Sequence, residues 1–510
     1  MTVLESDYGK LLAKYKDMTI LQSTSALVSW DMETKMPPRA IRLRSEQLAQ
    51  LSQFQHRMTT DTEIGTLLGR IEESPDYESL LEVNRRNVHL IRNSYDEQTR
   101  LPEELVVETE RQRTITIDAW KKAKAAKDFA LFRPELEKIF GLKKRAAEIL
   151  MDVKKTASPY DALIDMFEPK ITADTIASVF EELRKNLVRI IERCLAASRQ
   201  PDVSVLRRNT PITLQEKISS SLADFIDYDV TSTNAGGRID ETEHPFTTGY
   251  YDDVRVTTHY YENNVASSIY SVLHEGGHAK YEQGLRKDWM YQPVGAASSY
   301  GFHESQSRLV ENMVGRSTEF WRYYLPKFRT LTGGIFSDVG LDDIVGAVNA
   351  VMPSKIRTEA DEVTYSLHII IRFEIERDLF GGKITVPELP EVWNEKYLEY
   401  LGQRIDNDSE GVMQDTHWAG GDFGYFPSYA LGNIYGGQIL SKLNRDIPDW
   451  RDSIEKGSYR NTDEWLAKNI YSLGNLYDPL DLIRIVSGDG INVGPFVEYL
   501  ESKYSKLYDY

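Results

Sequence analysis

The chain has 510 residues, 41% of them hydrophobic and 27% charged, the profile of a folded globular protein long enough to bury a large core. A net charge of −18 argues against nucleic acid and anionic membrane surfaces as partners, since both need a basic face. No apolar run reaches the roughly 18 residues of a membrane span. The charged opening MTVLESDYGKLLAKYKD lacks the apolar segment of a secretory signal, and the single cysteine, Cys194, excludes an intrachain disulfide, so a cytoplasmic, reducing address is expected.

Through about residue 200 the chain reads as successive amphipathic helices. Leu11, Leu12 and Tyr15 recur at helical spacing, as do Leu48, Leu51 and Phe54, and then Leu136, Ile139 and Phe140. Met36-Pro37-Pro38, Leu101-Pro102 and Ser158-Pro159 mark turns between them. The polar stretch from Ser198 to Thr213, with Pro201 and Pro211, is the expected boundary inside one unit, between a helical N-terminal lobe of about 1–210 and a catalytic lobe of about 211–510. Asn234 to Arg238 reads as a loop. From His244 to Tyr261, Thr, Tyr and Val become dense, and Asp253-Val254-Arg255-Val256-Thr257 alternates as a strand does. Helical patterning resumes near Asn263 and holds to the end. The expected fold is mainly α, with a small antiparallel sheet in mid-chain.

Of the 9 histidines, 7 fall between His244 and His417. His274 and His278 stand four apart in a helical segment, so both imidazoles project from one face, one turn apart. Two neutral imidazoles so placed can grip a zinc ion. Glu275, beside the first of them, sits near the metal without having to ligate it and is placed to act as a general base. Gly276 and Gly277 each cost about 1 kcal/mol against alanine inside a helix, which points to a packing or access requirement at this spot. A catalytic zinc needs a third protein ligand and one open position. Glu304, 26 residues after His278 at the head of another amphipathic segment, can supply it, and its neighbour His303 is the alternative.

The strings HEGGH and HESQSR at this separation resemble the carboxypeptidase Taq family of zinc metallocarboxypeptidases. Four further stretches resemble motifs of that family: His244-Pro245-Phe246, Asp253 to Thr257, Ile356-Arg357-Thr358-Glu359-Ala360-Asp361, and Gly411-Val412-Met413-Gln414-Asp415-Thr416-His417-Trp418. Ser29-Trp30-Asp31, with Thr34 and Met36-Pro37, is similar as well. The resemblance implies two helical lobes around a deep substrate groove, similar to the angiotensin-converting-enzyme and neurolysin type. It also implies a homodimer, and stepwise release of C-terminal amino acids from peptide substrates with broad specificity. Carried over by position, His274, His278 and Glu304 become the ligands of one Zn²⁺ per chain (Co²⁺ being an alternative) and Glu275 the general base.

Peptide hydrolysis builds charge on the carbonyl oxygen, and His417, Tyr425 and Tyr429 are the candidate donors to it. A free α-carboxylate is best held by the two-pronged arginine fork. Arg357 and Arg255 are the candidates, with an ion pair to Glu359 or Asp361 and a cross-strand salt bridge as their respective structural alternatives. The strand around Arg255 can also serve as an edge to which a peptide backbone adds. His244 is a candidate substrate contact or a cap of the turn made with Pro245.

Overall fold

The computed structural model describes residues 2–510. The chain opens on α1 (Val3–Thr34), whose start is set by a capping box: Thr2 Oγ1 accepts the Glu5 N–H at 3.1 Å and Glu5 Oε2 accepts the Thr2 N–H at 2.7 Å. There follow α2 (Ile41–Thr59), α3 (Thr62–Glu72), α4 (Glu82–Arg100), α5 (Glu103–Ala126), α6 (Phe129–Lys154), α7 (Pro159–Ile164), α8 (Ala173–Ala196) and α9 (Ile212–Phe225). Helix breaks fall at the predicted prolines: α1 ends before Met36-Pro37-Pro38, Leu101-Pro102 separates α4 from α5, and Ser158 caps α7 with Pro159 at its first position.

Two of the three predicted stripes face a core, with Leu12, Tyr15 and Phe140 half-buried at their margins. Leu11 is 1% exposed, and Leu136 and Ile139 are equally sunk, each full burial contributing on the order of 1.5–3 kcal/mol. The Leu48, Leu51 and Phe54 stripe does lie on a helix, but no residue of α2 is buried and Phe54 is 44% exposed. Helical period thus predicted the local form of α2 without predicting what covers it.

The sheet is mixed, which corrects the antiparallel expectation. Strand β1 (Gly237–Glu241) runs parallel to β3 (Asp253–Thr258), β2 (Thr247–Tyr250) runs antiparallel to it, and the order is β1-β3-β2. β2 and β3 form a tight hairpin through Tyr251 and Asp252, which forces antiparallel pairing, while the 242–246 link carries the chain across to the other side of β3. β3 is therefore the central strand. It offers no free edge for a peptide backbone; the sheet edges are β1 and β2.

The remaining helices are α10 (Val265–Gly284), α11 (Tyr300–Arg308), α12 (Thr318–Leu331), α13 (Leu341–Val348), α14 (Tyr365–Phe380), α15 (Leu389–Leu401), α16 (His417–Gly420), α17 (Phe426–Asp446), α18 (Trp450–Glu455), α19 (Arg460–Asn469), α20 (Pro479–Ser487) and α21 (Gly494–Tyr508). One large core runs from Trp120 to Tyr508, and a second, smaller one joins α1, α3 and α4 through Leu4, Leu11, Leu67, Leu68 and Ile91. Within the large core α10 packs on α9, α11 and the sheet, and α11 lies along α17. Among the described residues no helix is long and apolar enough to cross a membrane.

Candidate metal centre

The apolar side of α10, with Ile269, Val272 and Leu273 buried, sinks this helix into the core and leaves the His274, Glu275 and His278 side facing β2 and α11. The predicted packing requirement at its glycines is met. A Cβ on Gly277 would lie 2.6 Å from Gln306 O and 2.7 Å from Ser307 Cα, so this glycine lets the α10 and α11 backbones touch. A Cβ on Gly276 would meet only the Cδ1 end of Ile226 at 2.3 Å. On α17, Gly432 makes room for Glu304, whose Cγ would lie 2.6 Å from an added Cβ. Gly277→Ala is accordingly expected to lose metal and to lower the unfolding temperature, overpacking of this kind costing about 1–3 kcal/mol. Gly276→Ala, which needs only the Ile226 side chain to turn, should lose less on both measures, and calorimetry with metal analysis of the two variants checks the order.

One donor atom each from His274, His278 and Glu304 lies within 4.8 Å of the others. His274 Nε2 is 3.6 Å and His278 Nε2 3.4 Å from Glu304 Oε2. The other ring nitrogens are already engaged: His274 Nδ1 with Glu311 Oε2 at 2.9 Å and His278 Nδ1 with His303 Nδ1 at 2.5 Å. His303 in turn uses Nε2 on Glu282 Oε1 at 2.8 Å. Assigned from this network, a proton on His303 Nε2 leaves its Nδ1 to accept from His278, and the lone pair of His278 Nε2 then faces the carboxylate. Burial drives His278 down to about 3, so it is a neutral imidazole. Burial also opposes the charge on Glu304, yet Arg308 and the two histidines hold its carboxyl well below the usual range, with Arg308 Nε donating to Oε1 at 2.7 Å. Lone pairs of an imidazole and an ionised carboxylate turned toward one point repel unless a cation lies between them, and two nitrogens with one oxygen is the donor set of a catalytic zinc site. His303 is not among the converging donors, since both its nitrogens serve other partners.

Glu275 is buried, and its Oε2 accepts the Thr247 hydroxyl at 2.6 Å. Burial pushes its carboxyl up, against the pull of His274 and Thr247. Thr247 sits on the edge strand β2, so the strand orients the carboxylate that flanks the converging donors.

A second cluster continues from the first. Arg308, which holds Glu304, stacks over the Tyr365 ring at 4.1 Å, and Tyr365 Oη accepts from Arg357 Nη1 at 3.0 Å. The Arg357 guanidinium lies 5.2 Å over the Tyr429 ring, and His417 Nε2 is 3.2 Å from Tyr429 Oη. Tyr425 packs on Tyr429 with centroids 4.9 Å apart. His417 is driven to about 3 by burial, with Arg357 and Arg372 adding to the effect against Asp415, and is neutral. Its Nδ1 has no hydrogen-bond partner among the described residues. Arg357 stands in a short 3₁₀ turn, Arg357–Glu359, and pairs not with Glu359 or Asp361 but with Asp415, through Nε at 3.0 Å and Nη2 at 2.9 Å. Asp415 also binds Arg372 Nε at 2.7 Å. These contacts leave one N–H on each terminal nitrogen of Arg357 uncommitted.

Arg255 and His244 are not brought into either cluster. Arg255 pairs with Asp253 of its own strand at 2.7 Å rather than across strands, and stacks on Trp30 of α1 at 4.4 Å. Thr247 pairs in register with Val256, so alternation puts Arg255 on the other face of the sheet from Thr247. His244 is exposed in the link between β1 and β2.

Sequence reasoning passed over Thr247, Glu282, Arg308, Glu311, Tyr365 and Arg372. Glu311, seven residues after Glu304, carried a usable signal, because two helical turns return it to the same side. The backbone there is a π-helical turn, Leu309–Val314, a form often met at functional sites and invisible in side-chain periodicity.

The sequence pattern of the carboxypeptidase Taq (M32) metallopeptidase family matches residues 10–504. Thermostable carboxypeptidase 1 of Thermus thermophilus is 38% identical over 511 residues, covering 99% of each chain. Carboxypeptidase 1 of Bacillus subtilis is 38% identical over 488 residues, covering 95% of each. The crystal structure of the M32 carboxypeptidase from Deinococcus radiodurans superposes with a TM-score of 0.94 at 34% identity, covering 99% of this chain and 100% of that one. The chain belongs to the carboxypeptidase Taq (M32) family and is a metallocarboxypeptidase, a peptide hydrolase that uses a divalent metal.

Proposed function

We propose that the metal is Zn²⁺, with Co²⁺ able to replace it, held by His274, His278 and Glu304, and that the enzyme removes C-terminal residues one at a time from peptides of broad sequence. When bound, the cation supplies Lewis-acid activation of water and of the scissile carbonyl. Glu275, oriented by Thr247, takes the proton of the attacking water and delivers it to the leaving amine. Tyr429, with Tyr425 and the neutral His417 behind it, donates to the developing oxyanion. Arg357 holds the terminal carboxylate with the N–H groups that Asp415 and Tyr365 leave free. That unspent, rigidly oriented guanidinium, linked to Glu304 through Tyr365 and Arg308, is the observation that carries the exopeptidase reading. Arg255 and His244 are assigned to contacts of longer peptides away from the scissile bond. The wider proposal includes two helical lobes, about 1–210 and 211–510, flanking a deep groove of the angiotensin-converting-enzyme and neurolysin type, in a cytoplasmic homodimer.

A mass-spectrometric time course on an unmodified peptide tests it. A ladder shortened from the C-terminus is expected, and an internal cut establishes an endo-oligopeptidase instead. A charge-assisted contact in a water-poor site contributes about 1.5–3 kcal/mol. Amidating the substrate's C-terminus should therefore lower kcat/KM by about tenfold or more, at about 1.4 kcal/mol per decade. Acetylating its N-terminus should matter far less. Arg357→Ala should erase most of the preference for the free acid and Arg357→Lys should restore only part, because lysine lacks the fork. Equal cleavage of acid and amide by the parent enzyme rejects the role of Arg357.

A further inference from the structure

Glu168 takes no part in the chemistry above. It lies in the turn after α7, fully buried, far in sequence from the metal-binding helices. A buried carboxyl is costly unless its oxygens are used, so its neighbours define its task. Oε1 accepts the backbone N–H of Gly301 in the first turn of α11. Oε2 has no hydrogen-bond partner among the described residues, and neither has the hydroxyl of Ser428 in the first turn of α17. The same turn makes two more ties: Phe167 O accepts the Tyr300 N–H at 3.2 Å, and the Phe167 ring packs on Tyr300 and Tyr425 with centroids 5.4 and 4.9 Å apart. A Cβ on Gly301 would lie 2.8 Å from Glu168 Oε1 and 3.0 Å from the Tyr435 ring, so the glycine lets the carboxyl reach the backbone. Burial pushes the carboxyl up to about 7 against the pull of the Gly301 N–H. The first turn of a helix has N–H groups with no intrahelical partner, and an acceptor held from outside fixes where the helix begins. Glu304 follows Gly301 by one turn on α11, and Tyr429 follows Ser428 directly on α17.

We propose that Glu168 is a positioning residue for the peptidase reaction: its carboxyl fixes the start of α11 to the turn after α7, whose Phe167 ring packs on Tyr425 at the head of α17, and so sets Glu304 against Tyr429. The proposal rests on Glu304 being a metal ligand. The test measures zinc affinity by chelator competition, kcat and KM at saturating zinc, and thermal unfolding, for the parent, Glu168→Ala, Glu168→Gln and Glu304→Ala. Glu168→Ala should bind zinc about tenfold or more weaker and lose kcat by a similar factor, the scale found when groups that orient metal ligands are removed. KM should hold. Glu168→Gln, whose amide oxygen still accepts from Gly301, should recover both. Glu168→Met, similar in volume, is held to the same outcome as alanine if alanine does not fold. A lower unfolding temperature with parent-like zinc affinity and saturated kcat overturns the proposal, and so do equal losses in glutamine and alanine. Parent-like zinc affinity in Glu304→Ala removes Glu304 from the ligand set instead, and the Glu168 role is then decided by kcat at saturating zinc.

Discussion

Glu275→Gln is expected to keep its metal while kcat falls by about 10²–10⁴, the usual contribution of a positioned general base. The amide matches the carboxylate in size and still offers an oxygen to the Thr247 hydroxyl, now 2.6 Å from Glu275 Oε2, so the side chain should stay where it is. What disappears is the capacity to take a proton, a loss of about 3–5 kcal/mol of transition-state stabilisation at about 1.36 kcal/mol per decade. KM should change little, because no substrate contact is removed. Metal analysis and steady-state kinetics on one peptide check both halves. Turnover near that of the parent rejects Glu275 as the base. Thr247→Val, which frees the carboxylate without removing it, should fall between the two.

Glu304→Ala is expected to lose metal and activity together. Two imidazoles without the carboxylate bind zinc weakly, since structural and catalytic sites alike use at least three protein ligands. The same change strands Arg308, whose Nε loses its acceptor while Nη1 keeps Glu311 at 3.2 Å. Removing one partner of a buried pair costs about 3–5 kcal/mol, and the surviving Glu311 contact argues for the lower end. Glu304→Gln should recover part of the stability and little of the metal, separating packing from charge. Full metal occupancy in either variant requires another third ligand. His303 is adjacent, but it would have to give up Glu282 or His278 to serve.

The histidine pair of α10 was legible because its geometry is local. Histidines four apart on a helix share a face whatever surrounds them, and a glutamate beside the first follows from the same backbone. The prolines and capping residues that bound the helices act locally too, which is why the breaks after α1, before α5 and before α7 fall where they were expected. The exposed stripe of α2 marks the limit of that reasoning, since a helical period says nothing of what packs on it.

Long-range pairing was decided only by the fold. The sheet became mixed because the 242–246 link crosses to the far edge of β3, a matter of chain path that alternation does not encode. Arg357 pairs with Asp415, 58 residues away, rather than with the acids beside it, since the 3₁₀ turn directs its fork toward the approach to α16. Glu311 reaches His274 through a π turn, and Glu168 reaches α11 across more than a hundred residues of chain. The amino-acid sequence by itself determined that one helix displays His274, Glu275 and His278 within a single turn, because hydrogen-bonded backbone geometry acts over one or two turns. The tertiary structure alone decided which groups hold those residues still and which arginine stands by Glu304, because burial and charge pairing depend on neighbours that only the folded chain brings together.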